Sequence, residues 1–211
     1  MVREQKRGEA RKERILEAAL GVFSRRGYRD AAMDDIAGES DTSKGGVYFH
    51  FPNKQTIFLA LLDRMAGLLM KRAEEAIAAE PDPVKRIDAA LQVVLKTFGD
   101  HRSLARLFLV EALGAGREFN DKMLEMRRDF ANLITRHLDH AVAEGAIPPL
   151  DTQLAGIAWF GALNEVVTHW VLEDDPEPLE HQYPALRDLL RRSIGVPQPT
   201  LSEQQTNGDI A

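Results

Sequence analysis

Residues 43–54, SKGGVYFHFPNK, combine groups that bind phosphate with groups that read the edges of base pairs. Ser43 can cap a helix that begins at Lys44, so that the first backbone N–H groups point outward and suit an anion such as a DNA phosphate. Gly45 and Gly46 lack side chains and let this turn approach a surface closely. Such contact can offset the helix-propensity cost of about 1 kcal/mol that a glycine carries.

The aromatic residues of this segment divide between two sides of the helix. Val47 and Phe51 are four positions apart and share a face that we expect to pack inward. The Tyr48 hydroxyl and the His50 ring lie elsewhere and can donate hydrogen bonds to phosphate oxygens. Two alternatives remain for Phe49, which either packs inward or contacts a thymine methyl group.

Two lysines extend this candidate nucleic-acid interface. Lys44 is long enough to reach a guanine edge or a phosphate, and Lys54, at the start of the next helix, can add a phosphate contact. The predicted DNA-binding residues are Thr42, Ser43, Lys44, Gly45, Gly46, Tyr48, His50 and Lys54.

Metal binding is the alternative chemistry, and it would make the protein a helical metal-dependent enzyme. His137, His140 and Glu144 are spaced so that they share one helix face and could hold a metal ion. A di-iron bundle, however, needs paired Glu-x-x-His motifs on two helices, and the sequence has none. A helical interaction module is a third class, but it leaves the phosphate-suited turn at Lys44 unexplained. We therefore expect no catalysis and no cofactor.

The charge of the 211-residue chain is unevenly distributed. The formal net charge is −6, yet residues 1–54 carry 11 Lys and Arg against 9 Asp and Glu, whereas the remainder carries 16 against 24. A small basic module on an acidic body suits a protein that meets phosphate at one end only, although an ordinary solvated basic terminus is the alternative. The absence of cysteine excludes disulfides and thiolate metal sites. With no signal peptide and no apolar run of membrane-spanning length, we expect a cytoplasmic protein without a membrane partner.

Hydrophobic periodicity is helical along almost the whole chain and predicts an all-α fold of about nine helices. Helices are predicted near 11–26, 33–39, 84–98, 103–113, 119–144, 152–173 and 179–194, together with one that opens at Lys44 and a long one that Asn53 caps and Pro81 stops. Residues 1–54 form a three-helix helix-turn-helix domain in this interpretation. Residues 55–195 form a ligand-binding and dimerisation domain, and the polar segment 196–211 is expected to be disordered.

Three segments, RKERILEAALGVFSRRGY, MDDIA and SKGGVYFHFPNK, together resemble the DNA-binding domain of the TetR (tetracycline repressor) family. The resemblance implies an all-helical homodimeric transcription regulator, usually a repressor, that a small effector releases from a near-palindromic operator. Two recognition helices roughly 34 Å apart would enter successive major grooves of the DNA.

The sequence departs from the family pattern at three places in this domain. Ala31-Ala32 stand where the family usually has hydroxyl residues, so we expect Asp30 to cap the second helix. Asp41 occupies the turn position where the family usually has glycine, and aspartate tolerates a left-handed backbone better than most residues. Gly46 replaces a frequent threonine and removes one potential base contact.

The resemblance also implies that the last two helices form a four-helix bundle across a two-fold axis. Small residues in the helix that begins at Thr152 would let two backbones approach closely, with intrachain packing as the alternative. The predicted dimer-interface residues are Ala158, Gly161, Ala162, Leu186 and Leu190.

An effector pocket is expected between the helices of the body. Methionine and aromatic residues make adaptable apolar walls, and the predicted lining is Leu104, Phe108, Met123, Met126, Phe130, Trp159 and Phe160. The segment FGALNEVVTHWVL resembles fatty-acyl-CoA-responsive members of the family, which implies a long apolar ligand. The candidates for binding CoA phosphates are then Arg102, Arg106, Arg127 and Arg128. Apolar ligands of the multidrug type are the alternative.

Overall fold

The computed structural model describes residues 2–111 and 116–196. Those residues contain nine α-helices and no strand, which confirms the predicted all-α fold class. Residues 197–211, which include nearly all of the predicted disordered tail, lie outside the described residues. Among the described helices, none has both the length and the apolar character needed to cross a membrane.

The first three helices are α1 (Val2–Asp30), α2 (Met33–Glu39) and α3 (Lys44–His50). Gly27 interrupts α1 with φ 74° and ψ 166°, so the regular helix ends where the glycine predicts. The expected cap of α2 by Asp30 is wrong. No side chain at the N-cap, Ala32, caps α2, and the Asp35 carboxylate in the first turn reaches back to accept the backbone N–H of Ala32 at 3.2 Å.

The helices of the body are α4 (Lys54–Ala79), α5 (Pro83–Asp100), α6 (Arg102–Arg106), α7 (Arg117–Ala143), α8 (Thr152–Leu172) and α9 (Tyr183–Ser193). Local sequence signals determine their starts: the side chains of Asn53 and Asp82 accept the N–H groups of Thr56 and Val84, each at 2.9 Å. Two predicted helices are subdivided. A π-helical turn, Leu107–Glu111, follows α6, and a 3₁₀ turn, Leu179–Gln182, precedes α9.

One hydrophobic cluster joins the first helices to the body. Buried residues of α1, α2, α3 and α4 pack in the same cluster as Leu107, Phe108, Phe119 and Met123. Residue 54, the predicted domain boundary, is therefore where α4 begins but does not separate two cores. A second cluster binds α5, α7, α8 and α9 together and includes Leu138, Trp159 and Val167.

Candidate nucleic-acid interface and ligand cavity

The turn before α3 has the geometry that its sequence requires. Asp41 has φ 48°, the one positive φ outside glycine among the described residues. The Thr42 hydroxyl donates to the carbonyl oxygen of Ser40 at 3.1 Å, and the Ser43 hydroxyl oxygen accepts the N–H of Gly46 at 3.2 Å. These bonds hold the first turn of α3 at the surface with its remaining N–H groups outward.

The two glycines of α3 serve different purposes. A Cβ atom at Gly45 would meet nothing within 4 Å, so this position is open to an approaching surface. A Cβ atom at Gly46 would lie 2.9 Å from the Thr42 side chain. Gly46 is therefore explained by packing against the turn, which the sequence analysis did not foresee.

The aromatic side chains of α3 separate as the helical spacing predicts. Val47 and Phe51 are buried, whereas Tyr48 is 43% exposed and His50 is half-buried. Phe49 is 84% exposed and its ring lies edge-on to the His50 ring. The outward alternative for Phe49 therefore holds, and it joins the candidate interface. Phe49 is two residues from both Val47 and Phe51, which face inward, and this spacing could have placed it in the candidate interface from the sequence.

Ion pairs neutralise the acidic residues of α2 beside this surface. Lys44 Nζ lies 2.8 Å from the Asp34 carboxylate, and both side chains are exposed. Arg26 pairs with Asp35 at 2.7 Å, and Arg25 pairs with Glu39. The hydrogen bond that Lys44 donates to Asp34 raises the pKa of Lys44 above its ordinary value, so this cation stays charged. A DNA phosphate must compete with Asp34 for it.

Lys54 does not reach outward toward a phosphate. Its ammonium group donates to the carbonyl oxygens of Tyr28, Arg29 and Ala31 at 2.7–2.9 Å and lies 4.9 Å from the centroid of the Tyr28 ring. Because an ammonium group has three N–H donors, all of them are used in this arrangement. The structure thus contradicts the predicted phosphate contact and makes Lys54 a clamp on the end of α1.

Lys12, one of several exposed basic residues of α1, adjoins the same surface. Arg7, Arg11, Lys12 and Arg14 are exposed, and Lys12 Nζ lies 5.8 Å from the centroid of the Phe51 ring. Lys12 therefore brings a positive charge to the side of α3. The basic composition of the N-terminus indicated this, but the individual residue could not be chosen from sequence.

A cavity of about 190 Å³ lies within the body, and its wall is almost entirely apolar. All seven predicted pocket residues line it. They are Leu104, Phe108, Met123, Met126, Phe130, Trp159 and Phe160. Along α4 the lining runs from Leu62 to Ile77, a rise of about 22 Å at 1.5 Å per residue, so the cavity is elongated along the helices.

The four arginines proposed for CoA phosphates have different surroundings. Arg102 and Arg106 donate to main-chain carbonyls at the end of α8, including that of Val171 at 3.4 and 3.3 Å. Their role is to cap α8, which the sequence analysis did not predict. Arg127 lines the cavity, and Arg128 is exposed on the other side of α7.

The predicted dimer-interface residues divide between surface and core. Ala158 and Gly161 are exposed on α8, and Ala162 is half-buried. Leu186 and Leu190 are only 5% exposed, because the apolar stripe of α9 packs into its own bundle. Their assignment to a dimer interface is therefore wrong. The large apolar residues of α8 and α9 that are exposed are Leu154, Ile157, Leu172 and Leu189.

The alternative metal site is not assembled. The rings of His137 and His140 lie 6.2 Å apart, and the Glu144 carboxylate is 3.6 Å from the Arg86 guanidinium. Within the described part of the chain, no group of three His, Cys, Asp or Glu side chains is placed to hold a metal ion.

Sequence comparison assigns both halves of the molecule to one family. Residues 15–61 match the bacterial regulatory proteins of the tetR family, and residues 80–178 match the tetracyclin repressor-like C-terminal domain. The chain belongs to the TetR family of transcriptional regulators. It is 32% identical over 188 residues to the HTH-type transcriptional regulator TtgR of Pseudomonas putida, covering 83% of this chain and 87% of TtgR.

Regulators of fatty acid metabolism are among the relatives of this TetR-family regulator. The fatty acid metabolism regulator protein of Bacillus subtilis is 25% identical over 181 residues, covering 85% of this chain and 93% of that protein. The structure of the fatty acid degradation regulator FadR from Bacillus halodurans superimposes with a TM-score of 0.79 at 25% identity, covering 85% and 94% of the two chains. FadR from Bacillus subtilis, solved in complex with stearoyl-CoA, gives 0.78 at 24% identity, covering 88% and 99%.

Proposed function

We propose that this regulator represses transcription as a homodimer on a near-palindromic operator and leaves the DNA when a long alkyl effector, foremost a fatty acyl-CoA, fills its cavity. One observation carries the proposal. Phe108 and Met123 line the cavity and also belong to the hydrophobic cluster that supports the helix-turn-helix domain. A ligand in the cavity therefore touches the packing that positions α3.

The surface of α3 supports operator binding. Gly45 leaves the backbone open, while Tyr48 and Phe49 stand exposed beside it. Phosphates can bind the outward N–H groups and the basic residues of α1, and the exposed ring of Phe49 suits a thymine methyl group. The ion pairs of α2 reduce the repulsion that Asp34 and Asp35 would otherwise exert on DNA.

The exposed side of α8 supports a homodimer. Leu154, Ile157 and Leu172 present large apolar side chains to solvent, and a Cβ atom at Gly161 would meet nothing within 4 Å. Leu189 of α9 is also exposed, so both helices of a four-helix interface contribute apolar surface. A two-fold dimer would present two copies of α3 to one operator.

The shape of the cavity supports a long alkyl effector. An apolar cavity whose lining residues span about 22 Å of α4 suits an unbranched chain better than a compact ring. The likeness to a fatty acid metabolism regulator, and to a structure solved with stearoyl-CoA, favours a fatty acyl group.

The π-helical turn after α6 provides a route from the cavity to the DNA-binding domain. Phe108 and Leu109 in this turn line the cavity, and Phe108 also contacts the ring of Phe58 at 5.8 Å between centroids. π-Helical turns occur often at functional sites. An alkyl chain that displaces Phe108 would shift Phe58 at the start of α4, and α4 is continuous between the two regions.

DNA binding with and without lauroyl-CoA tests the proposal. The probe is duplex DNA flanking the protein's own gene, measured by fluorescence anisotropy. The parent should bind it and release it when lauroyl-CoA is added. Ala90→Phe fills the cavity wall and should bind DNA without responding. Release of this variant at the same concentration as the parent would place the effector outside the cavity.

Bulkier apolar ligands of the multidrug type are a second candidate class. Met65, Met123 and Met126 line the cavity, and methionine side chains adapt to ligands of different shape. Rhodamine 6G added to the same anisotropy assay distinguishes the two classes. Release by this dye, with no effect of lauroyl-CoA, would favour the multidrug alternative.

A further inference from the structure

A polar depression adjoins the end of the cavity remote from α1–α3. Ile77, Arg86 and His137 line both the apolar cavity and this depression. The depression adds Glu74, Ala78, Arg136 and His140, and we call these seven residues the mouth. An apolar cavity with charged groups beside one end suits a ligand with an apolar tail and a polar head.

The charges of the mouth are mostly positive. Arg86 is held in place because it donates to the carbonyl oxygens of Glu80 and Pro81 at 2.9 and 3.1 Å. Arg136 is exposed and pairs with Glu74 alone among the described residues, at 3.3 Å, so its guanidinium can turn toward a ligand. Glu74 is the single carboxylate among the seven residues of the mouth.

His137 lines both the cavity and the mouth. Burial lowers its pKa below the ordinary value, and the charges of His140, Arg136 and Arg86 lower it further, whereas Glu74 acts in the opposite direction. The Glu144 carboxylate lies 3.6 Å from the Arg86 guanidinium and adds a negative charge beside that residue. Protonation of His137 is therefore disfavoured until an anion binds in the mouth.

We propose that the mouth binds the anionic head of the effector, with Arg136 and His137 as its ligands, while the alkyl tail lies in the cavity toward Phe108. The inference rests on the proposed alkyl effector. Its chemistry is a long alkyl chain that carries an anion, which is the carboxylate of a fatty acid or the phosphates of an acyl-CoA. An anion at this point would be bonded by the guanidinium and by a protonated imidazole.

Calorimetric titration with three dodecyl probes tests whether the mouth binds the anionic head of the effector. Laurate carries a carboxylate, lauroyl-CoA carries phosphates and 1-dodecanol is neutral. The double variant Arg136→Gln, His137→Gln should bind whichever anionic probe is the ligand about ten- to a hundredfold more weakly, because charge-assisted bonds are lost. The double variant should bind 1-dodecanol as tightly as the parent does. The anionic probe whose affinity falls, laurate or lauroyl-CoA, shows whether the head is a carboxylate or a set of phosphates. Arg128→Gln, which removes an exposed charge from the same helix, should change nothing.

The variant Glu74→Gln provides a test in which binding should become stronger, and misfolding of the variant could not cause that result. It releases Arg136 from its partner and should tighten binding of the anionic probe. In the parent, binding should weaken as pH rises from about 6 to 8, because the anion raises the pKa of His137 and the proton is taken up on binding. His137→Gln should abolish this dependence.

Three results would overturn the inference. Equal binding of the anionic probes by the parent and the double variant removes it but leaves the alkyl effector in place. Loss of anion binding in Arg127→Gln alone would move the head to the other arginine of the cavity wall. Failure of all three probes to bind the parent would remove the proposed effector class together with this site.

Discussion

The ring of Tyr28, at the end of α1, stands edge-on to the ring of Phe119, in the first turn of α7, with 5.4 Å between their centroids. Both rings also contact Phe58 of α4, at 4.9 and 5.3 Å. The three rings join the DNA-binding domain to a helix of the cavity wall. Because aromatic pairs have preferred geometries, a displaced ring shifts its neighbours.

Phe119→Leu should weaken the response to effector more than it weakens DNA binding. The loss of the two ring contacts should lower the free energy of unfolding by about 1–3 kcal/mol. Urea unfolding measures this change, and anisotropy with and without lauroyl-CoA measures the response. Phe130→Leu is the matched control, since its ring stacks on Phe160 in the cavity wall and should alter effector affinity only. An unchanged response in Phe119→Leu would exclude the ring junction from the coupling.

Lys44 and Lys54 should differ in how their removal changes the salt dependence of DNA binding. Lys44→Met should lower affinity about tenfold and reduce the slope of log K against log salt by about 0.9, as for one lost phosphate contact. Lys54→Met should leave that slope unchanged and lower the free energy of unfolding by about 1–3 kcal/mol, because three carbonyl bonds are lost. A reduced slope for Lys54→Met would restore the phosphate contact that the sequence predicted.

Asp34→Asn should strengthen operator binding. The substitution frees Lys44 from its 2.8 Å ion pair and removes a negative charge beside α3. We expect affinity to rise about three- to tenfold at low salt, and the gain should shrink as salt screens the charge. Asp129→Asn is the control, because it makes the same charge change at an exposed position on α7. A gain as large in the control would reflect net charge alone.

Gly161 and Gly156 of α8 should respond differently to added side chains. Gly161→Leu meets open space within the protomer, so it should fold but fail to dimerise. At Gly156 a Cβ atom would lie 2.3 Å from Thr135 Oγ1 and 2.8 Å from the Ala131 carbonyl oxygen, so Gly156→Ala should cost about 1–3 kcal/mol of stability. Analytical ultracentrifugation and thermal unfolding separate the two effects. A dimeric Gly161→Leu protein would mean that another surface forms the interface.

His137 should make the protein less stable in acid. Its pKa in the folded state lies below the ordinary 6.5, mainly because of burial, so the unfolded chain binds this proton first as pH falls. Stability is unaffected above pH 6.5 and decreases from there toward the lowered pKa. His137→Gln should remove part of this decrease in urea unfolding at pH 7 and 5.5. His181→Gln, at an exposed position near Glu177, should keep it.

Local signals in the sequence determined much of the architecture. The bounds of α2, the caps by Ser43, Asn53 and Asp82 and the interruption at Gly27 all follow from residues within about four positions of one another. Helix propensity and capping act over that range, so the chain itself specifies them. The ordered motifs of residues 11–54 likewise sufficed to indicate the family, which the comparisons confirm.

Tertiary structure alone decided the partners of the long cations and the exposed side of the last helix. Lys54 finds its acceptors 23–26 positions away, and Arg102 finds its own about 70 positions away. Which leucine of α9 turns to solvent depends on how the helix rotates against α5 and α8. A flexible charged side chain has many candidate partners of equal chemistry, and only the packed fold brings one set within hydrogen-bonding distance.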